Sequence, residues 1–214
     1  MKRIFITATN TDIGKTYTTK LLLEEYSRRG LRIGIIKPVE TGVVEGIYPD
    51  GDDLLKLVCT LNPAFKEFSV EDVVPISYAL PAAPFIASGG EKFDLERVEE
   101  AIAKMEPLCD LLLIEGAGGL FVPLDKEFMI IDLIKYIDAS ALLVTHCSLG
   151  CINDTLLSKK ALEDAGIEHT VVFNQRETDS SFAYVSEPYF KAVDFPVLKT
   201  HSDIDTLCDV LYNL

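Results

Sequence analysis

The stretch Arg3-Ile4-Phe5-Ile6-Thr7-Ala8-Thr9-Asn10-Thr11-Asp12-Ile13-Gly14-Lys15-Thr16 decides the fold. Arg3 to Thr9 is a short apolar run that reads as a strand. The polar turn after it ends in Gly-Lys-Thr and opens a helical pattern from about Lys15 to Arg29, which Gly30 stops as a C-terminal glycine does. A glycine-containing turn between a strand and a helix points backbone N–H groups at one spot. That spot suits a polyphosphate, with Lys15 reaching the β- and γ-phosphates and the Thr16 hydroxyl ligating magnesium. The usual pattern has glycine, four residues, then Gly-Lys-Ser/Thr; here five residues separate Ala8 from Gly14, and Ala8 takes the place of the first glycine. Gly-Lys-Thr alone could be a chance match at a helix start. Between a buried strand and a helix it reads as a phosphate-binding P-loop.

Outward from this unit the pattern repeats. Leu31 to Lys37 (ended by Pro38), Asp110 to Glu115, Ala139 to Thr145, Thr170 to Asn174 and Phe195 to Leu198 read as further strands. Helical patterns fill Asp94 to Met105, Ile152 to Ala165 and Asp203 to Tyr212. Continuous apolar strands between helices imply a parallel sheet covered on both faces. The expected architecture is an α/β P-loop NTPase fold, one domain over residues 1–214, with a mostly parallel sheet of about six or seven strands flanked by helices. Right-handed crossovers then put the ligand crevice at the carboxyl ends of the strands. Gly42 to Gly90, carrying Pro49, Pro63, Pro75, Pro81 and Pro84, reads as an irregular, substrate-side elaboration.

Bulk properties narrow the function. The 214 residues are 48% hydrophobic and carry a formal net charge of −14, with no basic face for nucleic acid and a surface that repels anionic membranes. No apolar run reaches the roughly 18 residues of a membrane span. Met1-Lys2-Arg3-Ile4 leads straight into the first strand, too short for a signal peptide, so the expected compartment is the cytoplasm. Five widely spaced cysteines argue against a disulfide framework, and His146, Cys147 and Cys151 lack a second ligand pair at zinc spacing. Three scattered histidines and no G-x-S-x-G leave a nucleophilic triad little support.

Three further motifs fall at strand ends. Leu111-Leu112-Leu113-Ile114-Glu115-Gly116-Ala117-Gly118-Gly119 puts a carboxylate at the tip of a buried strand, where a magnesium ligand belongs beside a P-loop, and follows it with glycines that allow close backbone approach. It could also be an ordinary strand and turn. Lys37-Pro38-Val39-Glu40-Thr41-Gly42 places a second lysine toward the same crevice, where two ammonium groups could stabilise an anion between them. Taken alone, Lys37 could equally be a solvated strand cap. In Gly51-Asp52-Asp53 the adjacent aspartates could be helix caps or could supply a second carboxylate to magnesium.

Together, T-x-x-G-K-T with its spacer, K-P-V-x-T-G, E-G-A-G-G and Leu149-Gly150-Cys151-Ile152-Asn153 resemble, in order and spacing, the dethiobiotin synthetases; the resemblance runs from Ile4 to at least Asn174. It implies a single α/β domain acting as a homodimer, with the substrate site at the subunit interface. It also implies ATP, carbon dioxide and 7,8-diaminononanoate as substrates and Mg2+ as cofactor. One amine becomes a carbamate, the γ-phosphoryl group moves onto it, and the second amine displaces phosphate to close the ureido ring. By motif position, Asp12, Ile13, Gly14, Lys15, Thr16 and Tyr17 look like phosphate contacts. Thr16, Asp53 and Glu115 look like magnesium ligands. Lys37 and Lys15 resemble the active-site lysines, with Thr11 near the carbamate and Thr41 on the substrate. Glu115, Gly116, Ala117 and Gly118 would line the site, and Asn174 resembles the family's base-reading asparagine. Cys151, Ile152 and Asn153 would offer N–H groups to the carboxylate of substrate bound to the partner subunit. The chain departs from the family at Ala8 and at Gln175-Arg176-Glu177-Thr178, where a Pro-rich continuation is usual.

The alternative reading is a switch ATPase of the chromosome- or septum-partitioning type. Those carry an extra lysine early in the loop, and Ala8 to Ile13 contains none. An amidating synthetase of the cobalamin pathway would need a glutaminase unit for which the chain has no room. A degenerate, binding-only P-loop protein fits poorly with intact Lys15, Thr16, Lys37 and Glu115.

Overall fold

The computed structural model describes residues 1–214. The elements are β1 (Lys2–Ala8), α1 (Lys15–Arg28), β2 (Ile33–Ile36), β3 (Val39–Thr41), α2 (Gly51–Leu61), α3 (Val70–Val73), β4 (Ile76–Tyr78), α4 (Pro84–Ala87), α5 (Leu95–Met105), β5 (Leu111–Gly119), α6 (Ile130–Tyr136), β6 (Ser140–His146), α7 (Cys151–Asp164), β7 (His169–Asn174), α8 (Phe182–Val185), α9 (Glu187–Ala192), β8 (Leu198–Lys199) and α10 (Ile204–Tyr212).

Six strands form one sheet in the order β2-β5-β1-β6-β7-β8, and every neighbouring pair is parallel. The apolar runs explain why: Ile4, Phe5 and Ile6 of β1 and Leu111 to Ile114 of β5 have no exposed surface, as strands covered on both faces must. In α1, Thr18, Thr19, Leu22, Leu23 and Tyr26 recur at helical spacing and form its buried face. The Tyr26 hydroxyl donates to the Cys208 carbonyl at 3.0 Å, which ties α1 to α10. Phe173 of β7 packs against Phe182, Phe190 and Phe195, a cluster that seats α8 and α9. No helix is long and apolar enough to cross a membrane.

The chain moves from β1 to one side of the sheet for β2 and returns through β5. It then crosses to the other side for β6, β7 and β8. The reversal lies at β1, so the crevice opens above its carboxyl end. There the β1–β5 register slips: Ile6 faces Glu115, but Ala8 faces Gly119. Gly116, Ala117 and Gly118 therefore oppose Thr7 alone, and the excess chain bends into the crevice.

Two expectations need correction. Strand β5 does not stop at Glu115 but continues through the glycines to Gly119, while the last strand is Leu198–Lys199 rather than Phe195 to Leu198. The segment from Gly42 to Gly90 holds three helices and β4, whose Ser77 pairs in parallel with Glu40 of β3 just before it. Its prolines suggest breaks, yet Pro84 opens α4 and Pro63 opens a 3-10 turn. Proline fits the first turn of a helix because the N–H it lacks would find no acceptor there.

Candidate active site

The loop between β1 and α1 carries two left-handed residues, Asp12 (φ 57°) and Gly14 (φ 102°). Alternating backbone conformations of this kind turn successive N–H groups toward a common centre. Gly14 is needed for a second reason: a Cβ there would lie 2.0 Å from the Asn174 side-chain nitrogen. That amide donates to the Ile13 carbonyl at 2.7 Å and pins the loop to the end of β7. The Asn174 side chain, expected to read a base, thus stands at the end of β7 against this loop.

Lys15 is buried and rests its Nζ on the Asn10 carbonyl at 3.4 Å, with no carboxylate in contact. Burial, partly offset by Glu115 and reinforced by Lys37, pushes its ammonium down to about 8. An anion arriving beside it restores the charged form.

Glu115, at the tip of the buried part of β5, is fully enclosed. Its Oε2 accepts from the Thr19 hydroxyl at 2.6 Å, and its Oε1 from Thr16 at 2.9 Å and Lys37 at 2.8 Å. Asp50 mirrors it: Oδ1 lies 3.0 Å from the same Thr16 hydroxyl, whose single proton the two carboxylates share, and Oδ2 accepts from Lys37 at 2.7 Å. Burial alone would lower Lys37, but Glu115 and Asp50 outweigh it and hold this ammonium well above its ordinary value. Burial likewise pushes Asp50 upward, and Lys37 reverses the sign.

This geometry corrects one expected ligand. Asp53 stands on the outer face of α2, 62% exposed, and pairs with Lys20 at 2.5 Å. Asp52 accepts the Tyr48 N–H at 2.8 Å. The inward carboxylate belongs to Asp50, the residue before the helix. The first residues of α2 rotate by about 100° each, so neighbouring side chains in a D-G-D-D run face different ways. Asp50 and Glu115 share both the Lys37 ammonium and the Thr16 hydroxyl, and the oxygens of these three residues are all hard donors. The donor set fits a small divalent cation.

A cavity of about 430 Å³ opens over this cluster. It gathers Thr11, Asp12, Gly14, Lys15, Thr16, Tyr17, Lys37, Thr41, Gly116, Ala117 and Gly118, all expected from sequence. It also brings in Val39, Glu40, Pro49, Asp50 and Arg176, which were not. Arg176 donates to the Asp12 carbonyl, so the loop holds a cation on either side. Its only sequence signal is an arginine just beyond a strand end. Cys151, Ile152 and Asn153 do not line this cavity. At the start of α7 the Cys151 N–H donates to Ser148 at 3.1 Å and the Asp154 N–H to Gly150 at 3.2 Å. Only the Ile152 and Asn153 N–H groups between them lack a backbone acceptor.

Comparison with solved structures gives the same fold at low identity. The Pyrococcus furiosus cell division ATPase MinD has a TM-score of 0.54 at 19% identity, covering 100% of this chain and 88% of that one. A plasmid partition protein from Borrelia burgdorferi has a TM-score of 0.58 at 10% identity, covering 99% and 96%. The family model described as an AAA domain matches residues 2–210. Sequence similarity is higher elsewhere. The ATP-dependent dethiobiotin synthetase BioD of Sulfurovum sp. is 44% identical over 196 residues, 92% of each chain. That of Wolinella succinogenes is 35% identical over 216 residues, 99% of this chain and 98% of its own. The sequence thus follows the synthetases where the fold alone is shared with the partitioning ATPases, and the chain belongs to the ATP-dependent dethiobiotin synthetase family.

Proposed function

We propose that the protein closes a cyclic urea on 7,8-diaminononanoate with carbon dioxide and ATP, giving dethiobiotin, ADP and phosphate. The observation that carries this is the meeting of Lys15, Lys37, Thr16, Asp50 and Glu115 in one crevice beside a P-loop. One amine attacks carbon dioxide and loses a proton to become a carbamate. A carbamate oxygen takes the γ-phosphoryl group, and the second amine then attacks the carbonyl carbon and expels phosphate. None of these steps needs a protein nucleophile; each needs charge neutralised and reactants aligned. Lys15 meets the β- and γ-phosphates, and Lys37 the anion between carbamate and phosphate. Thr11 faces the carbamate and Thr41 the diamine. Arg176, without a carboxylate partner, is a further contact for the nucleotide.

Thr16, Asp50 and Glu115 would hold Mg2+, which supplies charge neutralisation at the phosphate oxygens. Lys37 now sits among those ligands. Its flexible stem lets the ammonium swing toward the reacting anion once another cation balances Asp50 and Glu115. The carboxylate of the diamine is taken by the Ile152 and Asn153 N–H groups of a second copy, in a homodimer. The working compartment is the cytoplasm.

The test is phosphate release with Mg-ATP and bicarbonate, with and without the diamine. Diamine-dependent release with formation of dethiobiotin is expected. ATP hydrolysis that ignores the diamine would instead support a partitioning-type switch ATPase, the reading that the shared fold keeps open.

A further inference from the structure

An aspartate just before a helix ordinarily folds its side chain back onto the first free N–H groups. Asp50 precedes α2 and makes no such bond. Both its oxygens point the other way, to Thr16 and Lys37. Two N–H groups at the helix start are met from β3: Glu40 accepts the Asp50 N–H on Oε1 at 2.5 Å and the Gly51 N–H on Oε2 at 3.0 Å. Glu40 is 3% exposed, and it lies ten residues before Asp50 across a long excursion of chain.

We propose that Glu40 is a positioning residue for the cation site: it fixes the backbone of Asp50 and Gly51 at the start of α2 and so aims the Asp50 carboxylate. This rests on the reading of Asp50 as a metal ligand. A carboxylate that accepts two backbone N–H bonds makes charge-assisted contacts stronger and more directional than neutral ones. With both oxygens so engaged, Glu40 braces the ligand without competing for the cation. The fit is close enough to restrict Gly51, where a Cβ would stand 2.9 Å from Glu40 Oε2 and 2.6 Å from Val74 Cγ2. Glu40 also sits beside Thr41, so one side chain locks both ends of the excursion and joins the substrate strand to the metal ligand.

The experiment is Mn2+ titration of the ADP complex of the full chain by electron paramagnetic resonance, alongside thermal unfolding in EDTA. For Glu40→Gln, one acceptor oxygen becomes an amide facing an N–H. The expected result is weakening of Mn2+ binding by about tenfold, the scale seen when a residue supporting a metal ligand is altered, with ADP affinity in EDTA unchanged. Asp50→Asn is the control. If Asp50→Asn weakens Mn2+ binding and a folded Glu40→Gln does not, the positioning role is overturned. If Asp50→Asn itself leaves Mn2+ binding unchanged, the assignment of Asp50 as a ligand fails instead, and the proposal with it. Should Glu40→Gln not fold, the pair Gly51→Ala with Val74→Ala presses a methyl onto Glu40 while relieving Val74. An unchanged Mn2+ affinity in that pair overturns the role as well.

Discussion

Both carboxylate oxygens of Glu115 find partners within one chain, whereas the start of α7 leaves two N–H groups of its first turn without a backbone acceptor. Glu115, Lys37 and Thr19 are buried and bonded to one another across β5, β2–β3 and α1. Near Ile152 and Asn153, Leu149 and Leu157 stand 86% and 65% exposed. The contrast follows from what each region handles. Buried charge is tolerated only in a cage that leaves no lone pair unmet. Under the proposed function the start of α7 would take a ligand carboxylate, which at a helix N-terminus keeps much of its hydration and would be brought up by a second copy.

Several experiments would break or sharpen this contrast. The largest effects belong to the cage. Lys15→Ala is expected to lower diamine-dependent phosphate release by about 10³-fold, the upper range for removing one group that stabilises developing charge. Lys37→Ala is expected to match it and also to lose about 3 kcal/mol of stability in EDTA, because Glu115 is left charged and buried; Mg2+ should recover much of that loss. A wild-type rate in a folded Lys37→Ala protein would remove Lys37 from the chemistry.

Next comes the pair that sequence alone left ambiguous. Asp50→Asn should cut turnover at limiting Mg2+ by about a hundredfold. Asp53→Asn removes only an exposed pair with Lys20 and should leave turnover within about twofold. Equal effects would mean that the inward and outward assignments are wrong.

The α7 end predicts a smaller, subunit-crossing effect. Asn153→Asp sets a negative side chain beside the incoming carboxylate and should raise KM for the diamine about tenfold while leaving that for ATP unchanged. At low diamine, mixing it with Lys15→Ala should recover about a quarter of wild-type sites, because a two-fold mixed dimer restores one intact composite site. No recovery would place the whole site in one subunit.

The smallest effect lies away from the site. Hydrogen bonds from Arg28 and Arg29 hold Glu25 down to about 2 in the folded chain. Its unfolded value is about 4.3, so the stabilisation is fully present above that pH and fades as pH falls toward 2. Thermal midpoints of wild type and Glu25→Gln should differ by a few degrees at pH 7, a solvent-screened effect of about 1 kcal/mol. The two should converge only below about pH 2.

The sheet was legible because parallel strands buried on both faces write continuous apolar runs, and Arg3 to Thr9 and Asp110 to Glu115 are such runs. The prolines of residues 42–90 hid α4 because proline marks a helix start and a break with the same letter. The loop of Thr11 to Thr16, Lys37 and Glu115 was readable for a related reason. Each sits at a strand end, and in a parallel sheet all strand ends meet on one edge. Sequence by itself therefore determined the crevice and its two lysines. The tertiary structure alone decided which aspartate of D-G-D-D turns inward, that Glu40 holds the start of α2, that the Asn174 amide meets the loop and that Arg176 reaches it. Those outcomes depend on the angle at which a helix meets a neighbouring strand. That angle is set by packing between residues far apart in the chain, and no local pattern records it.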